Sequence, residues 1–142
     1  MDINSLYSEL IMEHSVNSPY KKELSHPSCS SLGHNPNCGD EIKLEATIEN
    51  GVIQDMAFSG HGCAISQSST SIMIDLLKGK TTQEAKEIIE IFISMIKREK
   101  LTTEQKKRLK NALAFENVSN MPSRAKCATL SWHTLENLLN SL

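Results

Sequence analysis

Ile42-Lys43-Leu44-Glu45-Ala46-Thr47-Ile48-Glu49-Asn50-Gly51-Val52-Ile53-Gln54-Asp55-Met56-Ala57-Phe58 is written as a β-hairpin. Ile42, Leu44, Ala46 and Ile48 alternate with polar residues, so one face of a pleated strand is apolar. Asn50-Gly51 supplies the two-residue turn in which both residues take positive φ, and Val52, Met56 and Phe58 carry the apolar face back. Downstream, Gly60 and Gly62 are expected to end the return strand. Ile65, Ile72, Met73, Leu76 and Leu77 then form the stripe of a helix closed by Gly79.

Two further helices are announced by their caps. Thr81 with Glu84 makes a capping box ahead of Ala85, Ile88, Ile89, Phe92 and Ile96, and Thr102 with Gln105 makes another. The second of these carries a basic face of Lys106, Lys107, Arg108 and Lys110 beside a thinner apolar side of Leu109, Ala112 and Leu113. A last helix starting close to Cys127 presents Leu135, Leu138, Leu139 and Leu142. Upstream of the hairpin, Asp2 can cap a helix bearing Ile3, Leu6, Tyr7, Leu10 and Ile11, which should stop near Asn17-Ser18-Pro19. Residues 20–37 carry turn formers without a period and read as a loop or short irregular strand. The expected architecture is α+β: a small antiparallel sheet with helices packed on one face, in one domain spanning residues 1–142.

Composition narrows the function. With 142 residues, 39% of them hydrophobic, the chain has enough material for a core, and a formal charge of -2 argues against a general polyanion binder. Only 4% of residues are aromatic, too few for a base-stacking surface, so no nucleic-acid partner is expected. No apolar run spans a bilayer and the N-terminus lacks the pattern of a signal peptide, which gives the expectation of a cytoplasmic protein with no membrane partner. Four cysteines in a reducing compartment then point to metal binding or catalysis before disulfides.

The chemistry concentrates around Asn35-Pro36-Asn37-Cys38-Gly39-Asp40. Glycine at 39 opens turn geometries that let a soft thiol and a hard carboxylate converge on one point, most simply a metal ion. Cys63 follows Gly60-His61-Gly62 and precedes a helical pattern, and Cys127 is read as lying just ahead of the last one. A helix N-terminus offers free N–H groups and partial positive charge, which favour a thiolate. Cys38, Asp40, Cys63 and Cys127 are therefore expected to form one site.

Three motifs, Asn35-Pro36-x-Cys38-Gly39-Asp40, Gly60-x-Gly62-Cys63-Ala64-Ile65-Ser66 and Arg124-x-Lys126-Cys127-Ala128-x-Leu130-Ser131-Trp132, together resemble the SufU branch of the IscU/NifU-like iron–sulfur cluster assembly proteins. Leu6-Tyr7, Ile11-Met12-Glu13-His14 and Pro19 are similar to that family's first helix. Lys126 stands where the IscU branch has a histidine, and the basic fourth helix fits the insertion typical of SufU. The resemblance implies the IscU-type fold and zinc held by Cys38, Asp40, Cys63 and Cys127. It implies a zinc-dependent sulfurtransferase, with Cys38 as acceptor of persulfide sulfur from a pyridoxal-phosphate cysteine desulfurase of the SufS kind, serving downstream iron–sulfur assembly proteins. It also suggests that a desulfurase histidine replaces Cys38 on the metal. Three thiolates and a carboxylate around a doubly positive ion leave a charge of about -2, which calls for cations. Arg124 and Lys126 are placed to supply them, and Arg124 can engage a partner carboxylate or Asp40.

Other readings remain beside this one. The same residues can hold an iron–sulfur cluster, as a scaffold does. His26-x-x-Cys29, His34 and Cys38 can be read as a structural zinc module, although that strands Asp40, Cys63 and Cys127. A cysteine hydrolase using Cys63 or Cys127 with His61 lacks an oriented base. His61 is expected to face solvent, and His14 to pack or cap at the end of the first helix.

Overall fold

A computed structural model describes residues 3–36 and 39–142, with the backbone alone for residues 3–7. The expected cap Asp2 therefore lies outside the described residues. Helix α1 (Ile3–Val16) stops where the sequence predicts, and its Leu10 and Ile11 pack against the core. His14 Nδ1 and the Ser18 hydroxyl each lie 2.7 Å from Ser71 Oγ, so His14 packs rather than caps. Backbone bonds from Phe58 N to Tyr20 O and from Lys22 N to Phe58 O then strap residues 20–22 onto the sheet.

Strands β1 (Cys29–Asn35), β2 (Asp40–Glu49) and β3 (Val52–His61) form an antiparallel sheet in the order β1-β2-β3. The unpatterned stretch upstream of the hairpin thus contains a regular edge strand. Asn50 and Gly51 have φ of 55° and 74°, as a type I′ turn requires. Thr47 pairs with Asp55 but Ile48 with Ile53, so Gln54 is an extra residue on β3. This bulge turns Ile53 onto the core face with Met56 and Phe58 and leaves Val52 half-buried, the reverse of the simple alternation. Strand β3 also runs through Gly60, whose φ of 115° accommodates the close approach of the Glu41 carbonyl.

Helix α2 (Ala64–Leu77) is buried on nearly every side, including Ser66 through Ser71, although only its apolar stripe is visible in the sequence. Short hydroxyl side chains make this tolerable because the helix satisfies them itself: Ser68 Oγ donates to Ala64 O at 2.6 Å and Thr70 Oγ1 to Ser66 O at 2.8 Å. Ser69 Oγ instead reaches across to Ala128 O at 2.6 Å and accepts from Trp132 Nε1 at 2.8 Å. Ile65, expected in the stripe, is only half-buried.

Both capping boxes form, at α3 (Thr82–Ile96) and α4 (Thr103–Leu109). The fourth helix is shorter than its pattern suggests. Lys110 takes φ 47°, and the chain continues as a 3₁₀ segment, Lys110–Asn120, that buries Ala112 and Phe115. Helix α5 (Pro122–Asn140) opens with proline in its first turn, where a missing N–H costs nothing. Its Leu135, Leu138 and Leu139 are buried, but Leu142 lies beyond the helix and is 66% exposed, so the expected leucine stripe ends one residue early. Trp132 stacks on Phe92 with ring centroids 3.8 Å apart, and Phe115 meets Phe92 edge-on at 6.1 Å. The α+β architecture has α5 against β1 and β2 and α2 against β3. No helix among the described residues is long and apolar enough to cross a membrane.

Candidate metal centre

The β1–β2 connection, the N-terminus of α2 and the second turn of α5 meet at one end of the sheet. Gly39 has φ 72° and its N–H donates to Asn35 O at 2.9 Å, closing the turn that delivers Asp40 to the start of β2 opposite Asn35. Cys63 is the N-cap residue of α2, in extended backbone geometry. Its N–H donates to Asp40 Oδ1 at 3.1 Å, so a carboxylate from a distant strand satisfies a donor that a capping box would give to its third helical residue. The positive end of the helix dipole favours both anionic donors here. Gly62 is required for this approach: a methyl group on it would come 2.8 Å from Asp40 Oδ1 and 3.1 Å from Asp40 Cγ.

Cys127 completes the group and corrects one expectation. Helix α5 begins at Pro122, so Cys127 sits inside the helix instead of at its N-terminus. The pattern placed the start too late because Pro122, Ser123 and Arg124 are helical but solvent-exposed and carry no apolar period. One donor atom each from Asp40, Cys63 and Cys127 lies within 4.8 Å of the others, with Asp40 and Cys127 buried and Cys63 half-buried. A tetrahedral ion with bonds of ~2.3 Å to sulfur spaces its ligand atoms about 3.8 Å apart, so small side-chain adjustments bring these three onto one ion. Two soft sulfurs and one hard oxygen suit zinc or iron and not calcium or magnesium. Cys38, the fourth expected donor, lies outside the described residues.

Arg124 and Lys126 are exposed on the first turns of α5, and Arg124, three residues before Cys127, shares its side of the helix. Neither side chain makes an ion pair among the described residues. His61 is exposed and 3.7 Å from Glu41, as a solvent-facing histidine should be. Cys29 opens β1 six residues before Asn35, roughly 20 Å along the strand from the donor group. His26, Cys29 and His34 join no donor cluster among the described residues, and His26 and His34 are exposed.

Three residues near the donors were given no role from the sequence. Ser66, Gln67 and Ser131 are buried to 1%, 5% and 1% exposure, and Ser66 Oγ, both Gln67 amide atoms and Ser131 Oγ have no hydrogen-bond partner among the described residues. Ser66 and Ser131 stand in the cysteine motifs and Gln67 directly follows the first of them, but their burial shows only in the fold.

Comparison with known proteins agrees with the motifs and the fold. The model of the NifU-like N terminal domain matches residues 6–128. A Thermotoga maritima protein named iron-sulfur cluster assembly scaffold protein IscU is 33% identical over 142 residues, covering 100% of this chain and 98% of that one. The zinc-dependent sulfurtransferase SufU of Bacillus subtilis is 36% identical over 135 residues, covering 95% and 90%. Among solved structures, a putative iron–sulfur cluster assembly scaffold protein for the SUF system from Fervidobacterium islandicum superposes with a TM-score of 0.88 at 36% identity, covering 97% of this chain and 99% of that one. With the family model spanning most of its length and relatives alike from end to end, the chain belongs to the NifU-like N-terminal domain family, whose relatives bear the names IscU and SufU.

Proposed function

We propose that this chain works in iron–sulfur cluster assembly as a zinc-dependent sulfur acceptor, one domain over residues 1–142 that takes persulfide sulfur from a pyridoxal-phosphate cysteine desulfurase onto Cys38. The observation that carries the reading is the convergence of Asp40, Cys63 and Cys127 donor atoms within 4.8 Å, with Cys38 two residues before Asp40 in the sequence. Zinc bound by these residues and Cys38 would hold the thiols deprotonated at neutral pH and fix their directions. The Cys38 thiolate attacks the outer sulfur of the desulfurase persulfide. A new S–S bond forms on Cys38, the old one breaks, and the desulfurase cysteine leaves as a thiolate. Asp40 is the hard member of the set, and its oxygen makes the ligand group easier to rearrange than four thiolates. Arg124, exposed beside Cys127, supplies positive charge to an anionic site and a planar fork for a partner carboxylate.

A scaffold that carries an iron–sulfur cluster as cargo on the same residues is the second reading, favoured by the Thermotoga and Fervidobacterium relatives' names at similar identity. Lys126 supports the sulfur-acceptor reading, because the resemblance puts a histidine there in scaffolds. Desulfurase assays with cysteine and a reductant separate the two. The wild type should raise alanine and sulfide production and Cys38→Ala should abolish the increase. Stimulation that survives in Cys38→Ala, or a wild type that only builds a stable cluster with added iron, favours the scaffold.

A further inference from the structure

Buried polar groups are almost always hydrogen-bonded, because leaving one unpaired costs about 1–3 kcal/mol. The four orphaned atoms among the described residues therefore need a cause, and they belong to three side chains: Ser66, Gln67 and Ser131. All three occur one helical turn after a donor cysteine. Ser66 and Gln67 follow Cys63 by three and four residues on α2, and Ser131 follows Cys127 by four on α5. Residues at these spacings share a helix face, and an N-cap residue faces the third residue of its helix. The two helices are pinned together between these points by the Ser69–Ala128 and Trp132–Ser69 bonds. Ser66 Oγ is placed most directly: it and Asp40 Oδ1 lie 3.0 Å and 2.8 Å from the position a methyl on Gly62 would take, so they share one small space.

The charge of the site says what these groups face. Three thiolates and a carboxylate on a doubly positive ion are over-neutralised by about two charges. On the solvent side Arg124 and Lys126 are exposed cations. On the buried side, the hydroxyls of Ser66 and Ser131 and the Gln67 amide offer donors without partners. Hydrogen bonds to metal-bound anions are charge-assisted, and groups that make them orient the ligands and tune their basicity.

We propose that Ser66, Gln67 and Ser131 are positioning residues that donate hydrogen bonds from the buried side to the Asp40 carboxylate and the Cys63 and Cys127 thiolates when these are gathered on the metal. The inference rests on the zinc reading above. It gives the site an asymmetry: Asp40, Cys63 and Cys127 are held from beneath while Cys38 is the ligand that leaves.

The test uses Ser66→Ala, Gln67→Met and Ser131→Ala, each made singly, with two readouts: the rate of zinc release to a chelator and the melting temperature of the zinc-free protein. Replacing an orphaned buried polar group by an apolar one of similar shape should leave the zinc-free melting temperature unchanged or raise it by about 3 °C. Losing a hydrogen bond to a ligand should speed zinc release about tenfold. This pairing, a metal-free protein no less stable and a zinc ion less well held, is not produced by a merely structural role. Zinc release at the wild-type rate in all three variants overturns the inference while leaving the zinc site standing. Faster release accompanied by a lower zinc-free melting temperature in every variant also overturns it, since the residues would then act only on the fold. A wild type that takes up no zinc defeats instead the reading on which the inference rests.

Discussion

Asp40 accepts from the Cys63 N–H that opens α2 and is also a proposed ligand to the metal. A substitution that shifts it should therefore disturb the site before it disturbs the fold. Gly62→Ala puts a methyl against the carboxylate at 2.8 Å, tighter than real contacts allow, and Asp40 must move. Zinc affinity should fall by about tenfold or more with little change in zinc-free stability, as measured by chelator competition and thermal unfolding. Asp40→Ala, Cys63→Ser and Cys127→Ser should lower zinc content directly, while Cys29→Ser, at the far end of β1, should not. Arg124→Lys keeps the charge but not the planar two-bond contact, so zinc content should hold and desulfurase stimulation should fall about tenfold. A salt-dependent loss would mark Arg124 as a long-range charge instead.

Elements hold the donors in place through buried polar ties that the sequence conceals. Ser69 joins α2, which starts at Cys63, to α5, which carries Cys127. Ser69→Ala orphans the Trp132 indole N–H and takes one of two bonds from the Ala128 carbonyl, and it should destabilise the zinc-free protein by about 2 kcal/mol. Thr81→Ala removes only an exposed cap and should cost about 1 kcal/mol, and chemical denaturation of both compares them. Tyr20 ties the strap of residues 20–22 to α2 through a 2.6 Å bond from its hydroxyl to Asp75 Oδ1. That bond, helped by burial and by the negative charges of Asp75 and Asp55, raises the Tyr20 pKa from 10.0 to about 12. The folded state then holds this proton more tightly than the unfolded state, so the contribution is complete below pH 10 and is lost as pH rises from 10 to about 12. Subtracting the stability profile of Tyr20→Phe from that of the wild type should leave a difference that is constant at neutral pH and declines between pH 10 and about 12.

The whole molecule was legible where a local pattern and its tertiary use coincide. Asn50-Gly51, the two capping boxes and the α3 stripe read correctly because turn dihedrals, caps and helical spacing are set within a few residues, although Ile91, Ile93 and Met95 are buried beside that stripe. The Gln54 bulge, the break at Lys110 and the burial of Ser66 through Ser71 were not legible, since each depends on what packs against it. At the site, glycine-containing motifs pointed to Asp40 and Cys63 and a third motif to Cys127, and the fold brings these together from positions 23 and 64 residues apart. The orphaned atoms of Ser66, Gln67 and Ser131 appear only once the two helices are in place. Because the proposed ligands come from β2, the start of α2 and α5, metal binding should also couple these elements, and removing zinc should lower the melting temperature of the entire chain. The residue at which sulfur first arrives separates a sulfur acceptor from a scaffold. Mass mapping of the zinc-loaded chain after reaction with desulfurase and cysteine, without iron, reads this directly. A sulfur acceptor should carry one added sulfur atom on Cys38 and none on Cys29; sulfur landing on another cysteine, or no sulfur on Cys38 of a chain that instead gathers a cluster once iron is supplied, would rule that role out.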